Sequence, residues 1–405
     1  MLDLDIVRRH FPALDPDMES GRWVLFDNAG GSVPLGSVID EIAAYMRAYG
    51  VQLGASYALS AEAGEKVAAG HRAMERFIGA APGEVVLGPS TTVNLTHLAR
   101  SLRPLWQSGD EVIVTDLDHE ANIGPWRALE ATGIVLKEWT LRPETADLHL
   151  EDLDDLLSEK TRLVAMTHCS NVVGRIHDVP AVASRVHDAG ALLCVDGVAF
   201  APHRQVDVGA LGADFYVFST YKTYGPHQSV LWGRKELWRE AVGQSHFFIG
   251  EDQVPYKMEP GGPNHELAAS LPAIPAYFEG LAAAHGVDST AAVFERVAEH
   301  EERLSDKLLE FLTGRRGVRV IGPSSGAREI RVPTVAFAVE GRDADTIPPR
   351  VDEHRVAIRW GDFYARRAIE RLGLSDRGGV VRVSMVHYNT EAELDRLLEA
   401  LDAVL

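Results

Sequence analysis

Residues 214–225 read DFYVFSTYKTYG, a short apolar run that ends in hydroxyl residues and a lysine. Such a run is typical of a strand buried on both faces, as in a mostly parallel sheet covered by helices. The turn that follows it carries Ser219, Tyr221 and Lys222. Lys222 is therefore expected at the carboxyl end of a core strand, the edge where open α/β sheets bind ligands. Desolvation there lowers the pKa of an amine and leaves it nucleophilic, as Schiff-base chemistry with a carbonyl cofactor requires.

The same design recurs along the chain, where apolar runs end in polar residues and helical patterns follow. Further runs are 111–117 (EVIVTDL), 163–167 (LVAMT) and 191–195 (ALLCV). Between the strands, apolar residues recur at spacings of three or four over 60–79, which predicts a surface helix with Ser60 as its N-cap. The core is therefore predicted to be α/β.

The chain has 405 residues, enough for two packed units. From about residue 267 the pattern changes to long helices and separated strands. Helices are expected over 292–313 and from Glu391, and strands over 317–321, 334–339 and 380–385. We therefore expect an N-terminal segment (1–20) that packs with the small domain, a large α/β domain (21–270) and a small α+β domain (271–405).

The charge balance and the two cysteines restrict the class of protein. With 40 Lys and Arg against 59 Asp and Glu, the formal net charge of −19 repels phosphate backbones and anionic bilayers. Neither nucleic acid nor a membrane is an expected partner. Cys169 and Cys194 lie inside apolar runs, and the 16 histidines lack ligand spacing, so we expect no disulfide framework and no metal site. Because no signal peptide or long apolar span is present in the sequence, we expect a cytoplasmic protein.

Two side chains at other strand ends complement Lys222. Asp196 closes the run 191–195 and is placed to pair with a protonated pyridine nitrogen, an opposite charge that keeps the ring an electron sink. His119 follows the run 111–117, where an imidazole can stack on a cofactor ring and shuttle protons. An aspartate before glycine is by itself a common turn former, and a loop histidine is usually solvated. Their shared position with Lys222 is what favours a pyridoxal-phosphate site.

A hydroxyl cluster supplies a matching phosphate position. Ser90, Thr91 and Thr92 lie where a loop enters a helical pattern. Free N–H groups and the dipole at a helix N-terminus favour phosphate, and hydroxyls extend such a cradle. The same cluster is also a common plain N-cap, so it gains weight only beside Lys222.

Taken in order, these segments resemble the class V aminotransferase family of fold type I pyridoxal-phosphate enzymes, and within it the cysteine desulfurase and selenocysteine lyase branch. The resemblance implies a mostly parallel seven-stranded sheet covered by helices, a smaller α+β C-terminal domain, and a homodimer with shared active sites. The segments that carry it are FDNAGG at Asp27, LSAEA at Ser60, STTVNL at Ser90, DHEANIGPW at His119, HCSNVVG at Asn171, VDGVAFAPHRQVDV at Asp196, DFYVFSTYKTYGP at Lys222, EPGGPN at Gly261 and RVSMVHYNT at Arg382.

The resemblance implies a role for each matching residue. Lys222 would hold pyridoxal 5′-phosphate as a Schiff base and later move the substrate's Cα proton. Asp196 would pair with the pyridine nitrogen, and His119 would stack on the ring. Asn171 matches an asparagine near the phenolic oxygen, and Arg382 matches the arginine that grips the substrate α-carboxylate. Phosphate positions are matched by Ser90, Thr91, Thr92, Ser219 and Tyr221, with Gly262 where a threonine of the neighbouring subunit often reaches the phosphate; the substrate is expected to face Ala29, Gly30, Tyr57, Arg359 and Tyr364.

One loop departs from the desulfurase pattern. Residues 359–364 read RWGDFY, so Tyr364 occupies the position of the cysteine that takes the sulfur as a persulfide. A phenol cannot form a persulfide, and Cys169 and Cys194 are expected to be buried, inert thiols. Sulfur transfer by the family mechanism is therefore not expected.

The reaction stays open among three outcomes and one different class. The first hypothesis is β-elimination at a Cβ substituent such as sulfur, selenium or sulfinate of a small L-amino acid, which needs no loop cysteine when the leaving group departs unaided. The alternatives are transamination and epimerisation, because the same cofactor, Lys222 and Asp196 stabilise a Cα carbanion in each case. A catalytically degenerate binding scaffold is the remote alternative.

Overall fold

The computed structural model of the chain describes residues 1–244 and 246–405. In these residues the strands are β1 (Val24–Leu25), β2 (Val85–Gly88), β3 (Glu111–Thr115), β4 (Val135–Trp139), β5 (Thr161–Thr167), β6 (Leu192–Asp196), β7 (Phe215–Ser219), β8 (Ser229–Gly233), β9 (Val318–Ile321), β10 (Thr334–Val339), β11 (Val356–Ala357), β12 (Arg359–Gly361) and β13 (Val380–Ser384). The α-helices are α1 (Leu4–Arg8), α2 (Gly36–Ala48), α3 (Ala58–Ile78), α4 (Thr91–Leu102), α5 (Gly124–Arg127), α6 (Leu150–Asp154), α7 (Val179–Asp188), α8 (Val208–Leu211), α9 (Lys235–Glu240), α10 (His265–Ser270), α11 (Ala273–His285), α12 (Thr290–Thr313), α13 (Pro348–Asp352), α14 (Arg366–Arg371) and α15 (Glu391–Val404).

A seven-stranded sheet with the order β2-β8-β7-β6-β5-β3-β4 forms the centre of the described structure. Strands β4, β3, β5, β6 and β7 run parallel, and β8 is antiparallel to both β7 and β2. The apolar runs predicted as buried strands form β3, β5, β6 and β7, with ends within two residues of the prediction. The predicted α/β architecture is confirmed, and the carboxyl ends of the parallel strands share one edge.

The start of α3 differs from the prediction. The helix begins at Ala58 with Tyr57 as its N-cap, so Ser60 lies inside the first turn and its prediction as N-cap is wrong. The Ser60 hydroxyl instead donates to the Gln52 carbonyl at 2.7 Å and accepts the Ala55 N–H at 2.9 Å. A buried hydroxyl that bonds the preceding loop on both sides ties that loop to the helix, and this use competes with capping.

A four-stranded antiparallel sheet with the order β12-β13-β10-β9 forms within the described C-terminal residues. Helices α12 and α15 pack on it through Leu304, Leu308, Leu394 and Leu397, which share one apolar cluster with the strands. Helix α11 packs on α2 and α3 beside the large sheet. The predicted boundaries after residues 20 and 270 stay predictions.

The N-terminal residues contact the C-terminal part of the chain. Arg8 donates to the Tyr388 carbonyl at 2.8 Å and pairs with Glu393 at 2.9 Å. Separately, the stretch His265–His285 is apolar and long enough to cross a membrane, but 56% of an 18-residue window within it is buried inside the protein. Burial of this kind is what a core helix pair of a globular protein shows, so the stretch is weak evidence for a span.

Candidate active site

The carboxyl edge of the large sheet encloses a cavity of about 90 Å³. Its walls come from β2, β3, β5, β6 and β7, because parallel neighbours bring their following loops to one place. The structure therefore brings together most of the residues predicted to hold the cofactor. They are Ser90, Thr91, Thr92, His119, Asn171, Asp196, Ser219, Tyr221 and Lys222.

Lys222 lies in the short 3₁₀ turn after β7 and is only 6% exposed. Within the described residues its ammonium group has no hydrogen-bond or ion-pair partner and lies 5.9 Å from the centroid of the Tyr221 ring. Burial and the charge of Arg382 lower the pKa of Lys222 to about 8, although Asp196 and Asp27 partly oppose them. A fraction of this amine is therefore uncharged near neutral pH, which is the form that attacks a carbonyl group.

The lowered pKa predicts that Lys222→Met stabilises the cofactor-free protein. Between about pH 8 and the ordinary value of 10.5 the unfolded wild-type chain binds more protons than the folded one, so wild-type stability rises with pH across that window. Below about pH 8 the folded wild-type protein bears the full cost of burying the charged amine. The free energy of unfolding of the variant should therefore be higher by on the order of a few kcal/mol. Thermal unfolding of both proteins at several pH values measures this. A stability difference that does not shrink toward pH 10 would contradict it.

Asp196 ends β6 as a buried carboxylate with an incomplete set of partners. One oxygen accepts the Val198 N–H at 2.8 Å, and no cation of the described residues lies within ion-pair distance. Burial raises its pKa to about 6, while the Val198 N–H and Lys222 oppose the rise. A buried carboxylate without a cation is costly, so the site favours a ligand that brings a positive N–H group to Asp196.

His119 follows β3 and covers the cavity from one side. Its Nδ1 accepts the Ala121 N–H at 3.1 Å, so the ring proton lies on Nε2. Burial and the charges of Lys222 and Arg382 lower the pKa of His119 to about 4. A neutral, flat ring is suited to stacking on another ring without adding charge.

The hydroxyl cluster lies at the N-terminus of α4 and lines the same cavity as Asp196. Ser90 caps the helix by accepting the Val93 N–H at 3.2 Å. Thr91 Oγ1 lies 2.8 Å from Ser219 Oγ and 3.2 Å from Ser229 Oγ, so β7 and β8 fix its position. Helix α4 has twelve residues, and its N-terminus is surrounded by hydroxyl groups. Such an N-terminus fits a phosphate group.

These groups fit pyridoxal phosphate on the evidence of their own donors and charges. Asp196, which has no cation partner, suits a pyridinium nitrogen. Lys222 suits the carbonyl carbon, and the α4 N-terminus suits the phosphate. The three lie around one cavity, as the parts of one rigid ligand require.

A second cavity of about 230 Å³ adjoins the first. His119, Asn171, Tyr221 and Lys222 line both. The predicted substrate residues Ala29, Gly30, Arg359, Tyr364 and Arg382 line the second.

Arg382 is buried beside this cavity, with 2% of its side chain exposed. Its Nη1 donates to the Asn171 carbonyl at 3.0 Å, and its Nη2 donates to Asp27 Oδ1 at 2.9 Å. Its Nε has no hydrogen-bond partner among the described residues. The exposed Arg359 reaches the other oxygen of Asp27 at 3.7 Å. Two cations therefore converge on one carboxylate, and one buried N–H remains free for a ligand.

Two residues of the predicted site lie outside both cavities. Tyr57 is half exposed at the start of α3, and the structure does not bring it to Lys222. Gly262 lines a separate groove with His71 and Glu259. Because the resemblance assigns Gly262 to the phosphate of a neighbouring subunit, its role stays a prediction.

The sequence reasoning missed two residues, Asp27 and Phe363. Asp27 stands in the quoted FDNAGG segment, but its pairing with Arg382 joins positions 355 residues apart. Phe363 precedes Tyr364, and its ring lies over the Arg382 guanidinium at 3.7 Å from the ring centroid. Local periodicity gives no signal for either contact. The only available signal was that both residues stand in segments already singled out, FDNAGG and RWGDFY.

The two cysteines are buried, as predicted. Cys169 lines the cofactor cavity, which the sequence reasoning did not foresee. Burial raises the pKa of Cys169 to about 12 and the pKa of Cys194 well above its usual value. Both are therefore thiols at neutral pH, and a thiol is a poor nucleophile.

We expect iodoacetamide to leave both cysteines unlabelled in the folded protein at about pH 8, because neither forms a thiolate. Unfolding in urea should expose both, and both should then react. Mass spectrometry of the two samples counts the adducts. Rapid labelling of Cys169 in the folded protein would contradict its assignment as an inert thiol.

The fold and the buried lysine site define a fold type I enzyme of the pyridoxal-phosphate class. A family model described as aminotransferase class V matches residues 24–397, and the chain belongs to that family. It is 41% identical over 99% of its length to an aminotransferase-like protein of Gibberella zeae, of which it covers 98%. It is 35% identical over its full length to a cysteine desulfurase-like protein of Aspergillus flavus, of which it covers 91%.

Solved structures agree with this assignment. A cysteine desulfurase of Thermococcus onnurineus superposes on the whole chain and 98% of its own with a TM-score of 0.87 at 26% identity. The cysteine desulfurase CsdA of Escherichia coli, covered to the same extents, gives 0.84 at 25% identity. Members of this family use pyridoxal phosphate.

Proposed function

We propose that the protein binds pyridoxal phosphate on Lys222 and acts at Cα and Cβ of a small L-amino acid, as a carbon–sulfur, carbon–selenium or sulfinate β-lyase without a persulfide cysteine. The observation that carries the proposal is the junction of two cavities at Lys222: one has Asp196 and the α4 N-terminus, the other has Arg382. Relatives named cysteine desulfurase and cysteine desulfurase-like support the choice of Cβ chemistry.

The residues of the chain then divide the work. When bound, the cofactor supplies an electron sink for charge that develops at the substrate Cα. Lys222, with a pKa near 8, takes the Cα proton and returns it. Asp196 holds a proton at the pyridine nitrogen, and Arg382 orients the α-carboxylate through its N–H groups. Tyr364 replaces the thiol of the loop, so a leaving group departs without being captured by the protein.

Transamination is a second candidate, since the relative at 41% identity is named aminotransferase-like. Lys222 and Asp196 serve that reaction equally well, because it begins with the same loss of the Cα proton. Epimerisation shares this first step. A degenerate binding scaffold is disfavoured because Lys222 and Asp196 meet at one cavity.

The test is a panel of amino acids added to the cofactor-loaded protein, with absorbance of the cofactor and products followed together. Cysteine and selenocysteine should release pyruvate and ammonia together with sulfide or selenide, and cysteine sulfinate should release alanine together with sulfite. Accumulation of the pyridoxamine form with an amino donor alone would establish transamination, and Cα deuterium exchange without product would establish epimerisation. Absence of alanine and pyruvate from all three substrates would overturn the lyase proposal.

We also propose a homodimer in the cytoplasm. Exposed apolar side chains lie on α2 and around the start of α3, among them Ile39, Met46, Tyr57 and Leu59. A cluster of exposed apolar residues is typical of an interface, and a second copy is the partner that the family resemblance implies. Light scattering after size-exclusion chromatography would give the mass, and a monomer at micromolar concentration would contradict the dimer.

A further inference from the structure

A short segment before α2 bonds the backbone of the turn that carries Lys222. Ser32 Oγ donates to the Lys222 carbonyl at 3.0 Å and shares this hydrogen with the Tyr221 carbonyl at 3.2 Å. The same oxygen accepts the Tyr224 N–H at 3.1 Å. The Ser32 N–H donates to the Tyr221 carbonyl at 3.2 Å, and the Leu35 N–H donates to the Tyr224 carbonyl at 2.9 Å. One hydroxyl therefore bonds the backbone on both sides of the Lys222 side chain.

The turn needs these contacts because its backbone is strained and buried. Tyr224 has a φ of 64°, in the left-handed region that residues with a side chain avoid, and it is fully buried. Its hydroxyl donates to the Pro202 carbonyl at 2.9 Å, which fixes the ring but not the backbone. Among the described residues, Ser32 is the only partner of the Tyr224 N–H and of the Lys222 carbonyl. Without the hydroxyl, two buried backbone groups would lose their bonds, which is costly.

The segment that supplies Ser32 is itself held by the four-stranded sheet and the residues that follow it. The Ala29 N–H donates to Ser384 Oγ at 2.8 Å, and the Val33 N–H donates to the Tyr388 hydroxyl at 3.2 Å. Ser384 ends β13, and Tyr388 follows it and is fully buried. Ser32 is therefore a fixed support for the turn after β7.

We propose that Ser32 is a positioning residue that holds Lys222 in place for its covalent link with the cofactor. This rests on the proposed function, in which Lys222 binds pyridoxal phosphate. In that link the uncharged amine nitrogen bonds the aldehyde carbon and one water leaves, so no oxidant or reductant is needed. Loss of the Ser32 hydroxyl lets the strained turn relax and moves the amine, and a displacement of about 1 Å can lower a rate about 100-fold.

The test is the rate at which the full-length, cofactor-free protein forms the link after mixing with pyridoxal phosphate, followed by absorbance. Ser32→Ala should form the link about 10- to 100-fold more slowly than the wild-type protein. Ser32→Thr keeps the hydroxyl and should recover most of the rate. Ser32→Val has the same shape as Ser32→Thr but lacks the hydroxyl, so it should stay slow.

Pyridoxine phosphate separates the position of the amine from damage to the whole site. It lacks the aldehyde and cannot form the link, but it offers the same phosphate and ring nitrogen. Its Kd should be equal in the wild-type protein and Ser32→Ala, because the hydrogen bonds of Ser32 go to the Lys222 turn and not to the α4 N-terminus or Asp196. A merely structural role of Ser32 would weaken the binding of pyridoxine phosphate as well.

Ser305→Ala is the matched control for the loss of a buried hydroxyl. Ser305 Oγ donates to the Glu301 carbonyl at 2.8 Å within α12, and Ser305 lines neither cavity. This variant should form the link at the wild-type rate. A wild-type rate in Ser32→Ala, equal rates in Ser32→Thr and Ser32→Val, weaker pyridoxine phosphate binding in Ser32→Ala, or an equal slowdown in Ser305→Ala would overturn the proposal. No amino acid is added, so failure of the amino-acid panel and failure of the positioning role give separate results.

Discussion

The Lys222→Ala protein is expected to lose the covalent link to pyridoxal phosphate and about 10³-fold or more of its activity. In the proposed function its amine is the nucleophile for the cofactor and the group that moves the Cα proton, and no other lysine lines either cavity among the described residues. Borohydride reduction followed by mass spectrometry should show a stable adduct on the wild-type peptide that contains Lys222. The same treatment of the variant should show none.

Lys257→Ala provides the control for a buried lysine elsewhere. Lys257 is as buried as Lys222 but is paired with Glu251 at 2.8 Å. It lines neither of the two cavities. Its replacement should leave the adduct on Lys222 intact. An adduct on any other residue of the wild-type protein, or full activity of Lys222→Ala, would remove Lys222 from its assigned role.

Asp196→Asn is expected to bind the cofactor and lose about 10²- to 10³-fold of the activity, as when one electrostatic group is removed from a reacting centre. A neutral amide does not hold a proton on the pyridine nitrogen, so charge at Cα finds a weaker sink. The fold should not suffer. Asp196 is a buried carboxylate whose pKa is raised to about 6, so the wild-type protein loses stability as pH rises from the ordinary value of 3.8 to about 6, and the amide removes that loss.

Asp118→Asn is the matched control for this variant. Asp118 is also a buried carboxylate, bonded to Asn122 at 2.8 Å and to Thr115, but it does not line the cofactor cavity. Initial rates and the absorbance spectrum of both variants at equal cofactor occupancy should separate them. If Asp118→Asn loses as much activity as Asp196→Asn, the effect belongs to the buried charge in general and not to the pyridine contact.

The positions of Ser90, His119, Asp196 and Lys222 were predictable because each depends on local information, whereas Asn171 came only from the family resemblance. An apolar run predicts a buried strand, and parallel strands of one sheet bring their carboxyl ends to one edge whatever the details of packing. A helix boundary is decided more finely. Ser60 has the chemistry of an N-cap, yet it lies within the first turn of α3 and its hydroxyl bonds the Gln52 carbonyl instead.

The substrate side of the site depends on how the four-stranded sheet meets the large one. Arg382 lies in β13, and its guanidinium donates to Asp27 and to the Asn171 carbonyl, which are 355 and 211 residues away in sequence. Such contacts have no periodic signal, since they follow from the packing of two units and not from either pattern alone. The contact between Phe363 and Arg382 is equally invisible in the sequence pattern. The ring reaches Arg382 only when the loop has taken its strained left-handed backbone.

The sequence by itself determined the α/β core, the set of residues that surrounds Lys222, and the absence of a cysteine at position 364. These follow from short-range hydrophobic patterns and from the identity of single residues, which no later folding step changes. Only the tertiary structure decided that Asp27 pairs with Arg382, that Asn171 lines both cavities and bonds the loop, and that the Phe363 ring covers Arg382. Those contacts depend on desolvation, charge pairing and backbone strain between segments far apart in the chain, which become defined only when the two sheets are packed.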